Sequence, residues 1–238
     1  MTKEPQKILV TGFAHCGTTI LRAKIADCKF VIDQPLEFGD PPQTGGTYVE
    51  NAKWYVWKHP FLHTQFRDKG FQSKKDSWLN NIIVVPIIRN PWYAFTSILK
   101  RIDNKYNPTD GLSLNYYFNA AERILDAFQN NYEGVYPIRY EDMFENDFEK
   151  LKTLFDKIGL EYDDEIFLNR QRDYKFNNAD FDPNFKGEYK DEKFRTWQIN
   201  QTFENMNKEV NIPDWMSEEL SKHKATKELG YTDPRINH

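Results

Sequence analysis

Residues 82–101 read Ile82-Ile83-Val84-Val85-Pro86-Ile87-Ile88-Arg89-Asn90-Pro91-Trp92-Tyr93-Ala94-Phe95-Thr96-Ser97-Ile98-Leu99-Lys100-Arg101. The apolar run Ile82 to Ile88 has the length and continuity of a strand buried on both faces. Pro86 inside it is a local conflict, because proline cannot donate to a ladder. Asn90 is a good N-cap and Pro91 a good first helical residue, so a helix is predicted over 91–101. Arg89 then closes the strand. Ser97 stands eight residues later, about two turns into the helix.

Working outward, a second strand–turn–helix lies at the N-terminus. Ile8-Leu9-Val10 leads into Thr11-Gly12-Phe13-Ala14-His15-Cys16-Gly17-Thr18-Thr19-Ile20-Leu21-Arg22. A strand, a small-residue turn and a helix start form an anion cradle, because the first turn of a helix leaves N–H groups unpaired and carries positive potential. Gly12 and Gly17 let the backbone bend and approach the anion. Thr18 and Thr19 add hydroxyls. Three frames fit this loop in part. Gly-x-x-x-x-Gly is the outline of a nucleotide P-loop, but Thr18 replaces its lysine, which argues against an ordinary kinase. Cys16 followed at a distance by Arg22 outlines a cysteine-dependent phosphatase, with Cys16 as nucleophile and Arg22 as phosphate clamp. Thr19 and Ala23 occupy positions where that pattern calls for Gly and Ser/Thr. The third frame is a loop ending in Gly-Thr-Thr that holds a phosphosulfate, with His15 in its cationic position.

A third segment, Tyr136-Pro137-Ile138-Arg139-Tyr140-Glu141-Asp142-Met143, reads as a strand and turn before an amphipathic helix, Phe148 to Ile158, closed by Gly159. Taken in order, the Gly-Thr-Thr loop, the Arg89/Ser97 segment and the Arg-Tyr-Glu-Asp segment resemble the sulfotransferases that use 3′-phosphoadenosine 5′-phosphosulfate (PAPS). The resemblance spans residues 7 to about 160 and is nearest in layout to the carbohydrate/heparan and tyrosyl-protein type. It implies an α/β fold, a three-layer sandwich around a central parallel sheet of the P-loop nucleotide-kinase-like sulfotransferase kind. It also implies sulfuryl transfer from PAPS to a hydroxyl, or an amine, leaving PAP, the desulfated product.

The resemblance assigns roles residue by residue. His15, Cys16, Gly17, Thr18 and Thr19 form the 5′-phosphosulfate loop. Arg89 and Ser97 grip the 3′-phosphate, and Tyr140 lies near the adenine. Lys58, in Trp57-Lys58-His59-Pro60-Phe61, takes the place of a lysine that touches the sulfonate. Members of the family use a basic loop in their C-terminal third; Lys186, Lys190, Lys193 and Arg195 are available, with Lys193 and Arg195 opening a helical stretch to Asn207. Glu37, 22 residues after His15, is the first choice for the general base and His59 the second. His15 replaces the usual lysine or arginine of the loop; a histidine is cationic only if its pKa is held up, which nearby anions favour. This departure leaves open a non-catalytic relative that binds PAP without transferring sulfate.

The rest of the chain sets bounds. Its 238 residues fit a single domain over 1–238. A net charge of −4, with no basic run, gives no reason to expect nucleic acid or an anionic membrane as partner. Cys16 and Cys28 suggest no disulfide framework. The N-terminus is polar and no apolar run is long enough to span a bilayer, so a soluble cytoplasmic enzyme is expected. No His/Asp/Glu cluster has ligand spacing, so no metal is expected. The predicted order is strand 7–11, helix 18–27, strand 30–33, turn-rich loop 34–47, strand 54–58, helix 61–69, strand 82–88, helix 91–101, helix 112–130 and strand 135–140. Such alternation gives a parallel sheet covered on both faces, with ligands outside the carboxyl ends of its strands. The acceptor is read as a small molecule or carbohydrate, with Trp54, Tyr55 and Trp57 as rings that could stack on a sugar. Trp197, Phe203 and Met206 read as core.

Overall fold

Every residue of the Ile82–Ile88 run is buried, and it forms a central strand of a parallel sheet. The structure, a computed structural model, describes residues 4–37, 49–102, 106–168, 202–205 and 209–236. Along these residues the order is β1 (Gln6–Gly12), α1 (Thr18–Ala26), β2 (Val31–Glu37), β3 (Trp54–His59), α2 (Thr64–Lys69), β4 (Ile82–Ile88), α3 (Pro91–Arg101), α4 (Leu114–Asn130), β5 (Ile138–Arg139), α5 (Glu149–Ile158), α6 (Asp214–Lys222) and α7 (Lys224–Glu228). Among the described strands the spatial order is β2-β3-β1-β4-β5, with every pairing parallel.

Side chains alternate across this sheet and divide the core in two. Ile8, Val10, Val56, Ile83, Val85 and Ile87 face a layer containing α1 and α5, through Leu21, Ile25, Leu151 and Phe155. Leu9, Trp57, Val84 and Ile88 face the opposite layer, where Phe66, Trp92, Phe95, Tyr117 and Met216 come from α2, α3, α4 and α6. The three-layer α/β architecture expected from the alternation of elements is the one observed.

The conflict at Pro86 resolves locally. Val84 turns both its N–H and its C=O toward the segment before β5, donating to Gly134 O and accepting from Tyr136 N. Two residues on, Pro86 faces the same way. There the pairing has dwindled to one bridge at Val135 and two registered residues in β5, so the missing donor falls where the ladder is sparse.

Several boundaries differ from the sequence reading. β2 runs on through Gln34–Glu37, with an irregular register between Asp33 and Glu37 that accommodates Pro35. The predicted loop 34–47 therefore begins after Glu37; positions 38–48 lie outside the described residues. Helix 61–69 starts at Thr64, because His63 Nδ1 accepts from Gln65 N at 3.2 Å and caps it. Ser113 caps α4 in the same way. Phe203 is core, as expected, whereas Trp197 and Met206 lie outside the described residues.

The C-terminal segment is fastened to the first turn of α3. The Trp92 indole N–H donates to Ser217 Oγ at 2.7 Å, and Ser217 donates to Asp233 Oδ2 at 2.5 Å. Arg235 Nη2 reaches the same carboxylate at 2.9 Å. Burial alone would push the Asp233 carboxyl up; the hydrogen bonds from Arg235 and Ser217 outweigh it and hold the pKa at about 2, against 3.8 ordinarily. A depressed carboxyl contributes stability above its unfolded pKa and loses it as pH falls through the folded one. The shift corresponds to roughly 2 kcal/mol. Asp233→Asn should lower Tm by about 4–8 °C at pH 7, and the gap to wild type should close between pH 4 and pH 2. Equal melting of the two proteins at pH 7, by circular dichroism, would refute this role.

Candidate active site at the carboxyl edge of the sheet

β1 and β4 are neighbours, but the chain leaves them in opposite directions. From β1 it passes through α1 to β2 on one side; from β4 it passes through α3 and α4 to β5 on the other. Such a switch point opens a crevice between the two strand ends. All five strands deliver a singled-out residue to this edge. Glu37 ends β2, Lys58 and His59 end β3, the loop from Gly12 follows β1, Arg89 follows β4 and Tyr140 follows β5. In register, Thr11 pairs with His59, Glu37 with Lys58, and Ile88 with Arg139.

The loop is tightly built. Cys16 N donates to Phe13 O at 3.2 Å, closing a turn in which His15 takes φ 62°. Gly17 follows at φ 93° and begins α1 with no side-chain cap and no acidic residue in the first turn. The two left-handed residues curl the loop into the kind of concavity in which backbone N–H groups can face one anion. Gly17 is required for a second reason. A Cβ there would stand 2.4 Å from the Tyr140 ring. The Cys16 N–H is thus used within the loop itself.

Two buried cations stand at this edge. Lys58, 1% exposed, donates from Nζ to Thr19 Oγ1 at 2.6 Å. Arg89, 6% exposed, places its guanidinium carbon 4.2 Å from the Tyr140 ring centre and 5.7 Å from that of Tyr93. Ser97 Oγ donates to Tyr93 O, four residues back in the same helix, at 3.1 Å. The corner after Arg89 is held by Glu141, whose Oε1 accepts from Asn90 N at 2.9 Å and whose Oε2 accepts from Tyr231 at 3.2 Å. Burial raises the Glu141 carboxyl, while the backbone N–H groups of Asn90 and Glu141 itself, and the charge of Arg89, oppose the rise.

Tyr140 is a wedge. It is 1% exposed, and its hydroxyl donates to Glu204 O at 2.9 Å. Its contribution to the site is the placement of Gly17 and Arg89.

His59 is half-buried at the end of β3. Its Nδ1 lies 2.5 Å from Phe61 O, a carbonyl that can only accept. Nδ1 therefore carries the proton of the neutral ring, and Nε2 is left as the basic nitrogen. The same carbonyl accepts from Thr11 Oγ1 at 2.7 Å, tying the end of β1 to the turn after β3.

Other sequence assignments change. Cys16 is wholly buried, and burial pushes its thiol up to about 12, so it lacks the exposure and the low pKa of a nucleophile. Arg22, the clamp of the phosphatase reading, is also wholly buried and paired with Asp33 of β2. Trp57 is fully buried in the core, and Trp54 begins β3 at the opposite edge of the sheet, so the β3 rings form no sugar platform. Lys186, Lys190, Lys193 and Arg195 lie outside the described residues, as does the Glu37 side chain. Thr11, Tyr93 and Glu141 escaped the sequence reading. Glu141 sits inside the quoted Tyr-Glu-Asp motif and was the most detectable of them. Among the described residues, no group of three or more His, Cys, Asp or Glu could hold a metal ion, and no helix is long and apolar enough to cross a membrane.

Comparison with known proteins bears on the fold. No family model matches the chain, and no curated protein sequence matches it. Among solved structures, the sulfotransferase domain from the curacin biosynthetic pathway aligns with a TM-score of 0.51 at 14% identity, covering 98% of this chain and 100% of that one. The sulfotransferase domain from the Synechococcus PCC 7002 olefin synthase gives 0.50 at 15% identity, covering 98% and 99%. A retinol dehydratase bound to retinol and PAP aligns over 69% of this chain and 63% of its own, with a TM-score of 0.39 at 13% identity, too distant to bear on fold or function. The chain has the sulfotransferase fold.

Both cysteines are buried, and burial raises both thiols. Native protein at pH 8 should therefore react with Ellman's reagent at neither, and denatured protein at two. Rapid labelling of Cys16 in the native state would reopen the phosphatase reading.

Proposed function

We propose that this chain is a single-domain enzyme that transfers a sulfuryl group from PAPS to a hydroxyl acceptor. The observation that carries the proposal is the meeting, at the switch point of a sulfotransferase fold, of an uncapped helix N-terminus with two buried cations, Lys58 and Arg89. A donor with phosphates at both ends suits that set. Ammonium and guanidinium groups donate well to anionic oxygens, so both cations suit such a donor.

When bound, PAPS supplies a sulfuryl group whose leaving group is already a phosphate. The chain's residues do the rest. The first turn of α1, with Thr18 and Thr19, holds the 5′ end, and Lys58, anchored on Thr19, offsets charge on the leaving oxygen and the sulfonate. His15 adds a donor from the loop. Arg89 and Ser97 hold the 3′-phosphate, with Arg89 aligned by Tyr140 and its corner by Glu141. The acceptor oxygen attacks sulfur in line, the bond from sulfur to the phosphate oxygen breaks, and the acceptor proton passes to a base. His59 is favoured as that base because its Nδ1 contact leaves Nε2 to receive the proton; Glu37, beside Lys58 in register, is the alternative. The departure at His15 that opened a binding-only reading is offset by Lys58. A small-molecule or carbohydrate hydroxyl remains the acceptor class.

PAP titrated into the wild type by calorimetry should bind, and Arg89→Ala should weaken it about ten- to a hundredfold, the worth of a charged hydrogen-bonded pair. No binding by the wild type would overturn the proposal.

PAP release from PAPS, with 2-naphthol or water as acceptor, tests the base. His59→Gln should lose at least about a hundredfold in turnover, while Glu37→Gln stays within severalfold. The reverse pattern assigns the proton to Glu37.

A further inference from the structure

Beside His59 a row of rings leads from the strand end to the surface. The His59 and His63 ring centres are 6.0 Å apart, inclined at 64°, and those of His63 and Trp78 are 5.7 Å apart, inclined at 75°. His63 is 8% exposed, whereas Trp78 leaves 47% of its surface in water. Its turn is pinned by Ser77, whose hydroxyl donates to Lys74 O at 2.9 Å and accepts from Leu79 N at 3.2 Å. Lys74 Nζ reaches back to Asn80 O at 2.8 Å, and the adjoining Leu79 is fully buried. A half-exposed indole carried on a hydrogen-bonded turn presents a large apolar face.

We infer that Trp78 is the acceptor platform, taking a ring-borne hydroxyl compound whose flat apolar face stacks on the indole while its hydroxyl reaches His59. This rests on the sulfuryl-transfer reading above. The shared chemistry is a hydroxyl on a flat ring, which a phenol or a pyranose can supply. Trp78 contacts the acceptor and sets its orientation; Lys58 and Arg89 hold the donor independently. Trp78 thus fills the place that sequence reading gave to the β3 aromatics.

The test compares wild type, Trp78→Ala and Trp78→Phe. Each is titrated first with PAP and then, saturated with PAP, with 2-naphthol and with methyl β-D-glucopyranoside. All three should bind PAP equally. At least one probe should bind the wild type, about tenfold more weakly with Trp78→Ala and within about threefold with Trp78→Phe, as expected for a lost and a retained ring contact. The probe that behaves so identifies the source, phenol or pyranose. If PAP binds but Trp78→Ala takes the probes as well as the wild type does, or neither probe binds the wild type, the inference falls and the donor site stands. If the wild type binds no PAP, the donor reading falls and takes this inference with it. Trp78→Phe guards against a folding defect in the alanine variant, and equal PAP affinity reports an intact donor site.

Discussion

The ring of Tyr140 stands between three strand ends. Gly17 lies against one edge, so close that a methyl group would not fit, and the Arg89 guanidinium rests over the ring face. The loop after β1, the corner after β4 and the turn after β5 are thereby set relative to one another by one aromatic body. Close packing leaves such a ring little freedom, so each of the three neighbours constrains the other two. Replacing Gly17 would both strain the backbone at φ 93° and push the ring that aligns Arg89. The anion loop and the distant cation are in this sense one unit.

Around that unit the buried charges are arranged in layers. Arg89 rests against the Tyr140 ring, and Glu141 holds the corner that follows it, fastened to Asn90 and Tyr231. On the α1 side, the buried pair of Arg22 and Asp33 ties the helix to β2, one turn beyond Thr18 and Thr19. Such pairs add little net stability, because desolvation offsets much of the attraction. They fix positions, which is what a site built from five strand ends demands.

The strands and helices could be read from the chain because apolar periodicity and capping residues are local signals. Ile82–Ile88, Asn90-Pro91 and Gly159 each carry their meaning within a few residues. Arg89, Lys58 and the Gly-Thr-Thr loop were found as motifs, and the sheet brings them to one edge. The misplaced features depend on distant partners. Tyr140 could be seen beside its motif but not wedged against Gly17. Cys16 looked like a nucleophile in the loop, yet its burial is set by the surrounding fold. The extension of β2 past Pro35 depends on register with β3, and the exposure of Trp78 depends on how its turn packs.

Lys58 comes from β3, 39 residues after Thr19, whose hydroxyl accepts from its Nζ. Loop and cation therefore come from separate segments of the sequence. A descendant could lose Lys58 while keeping every letter of Gly-Thr-Thr, and it would look competent to any search that scans the loop alone. Grafting this loop onto another scaffold would likewise transfer the cradle without its charge.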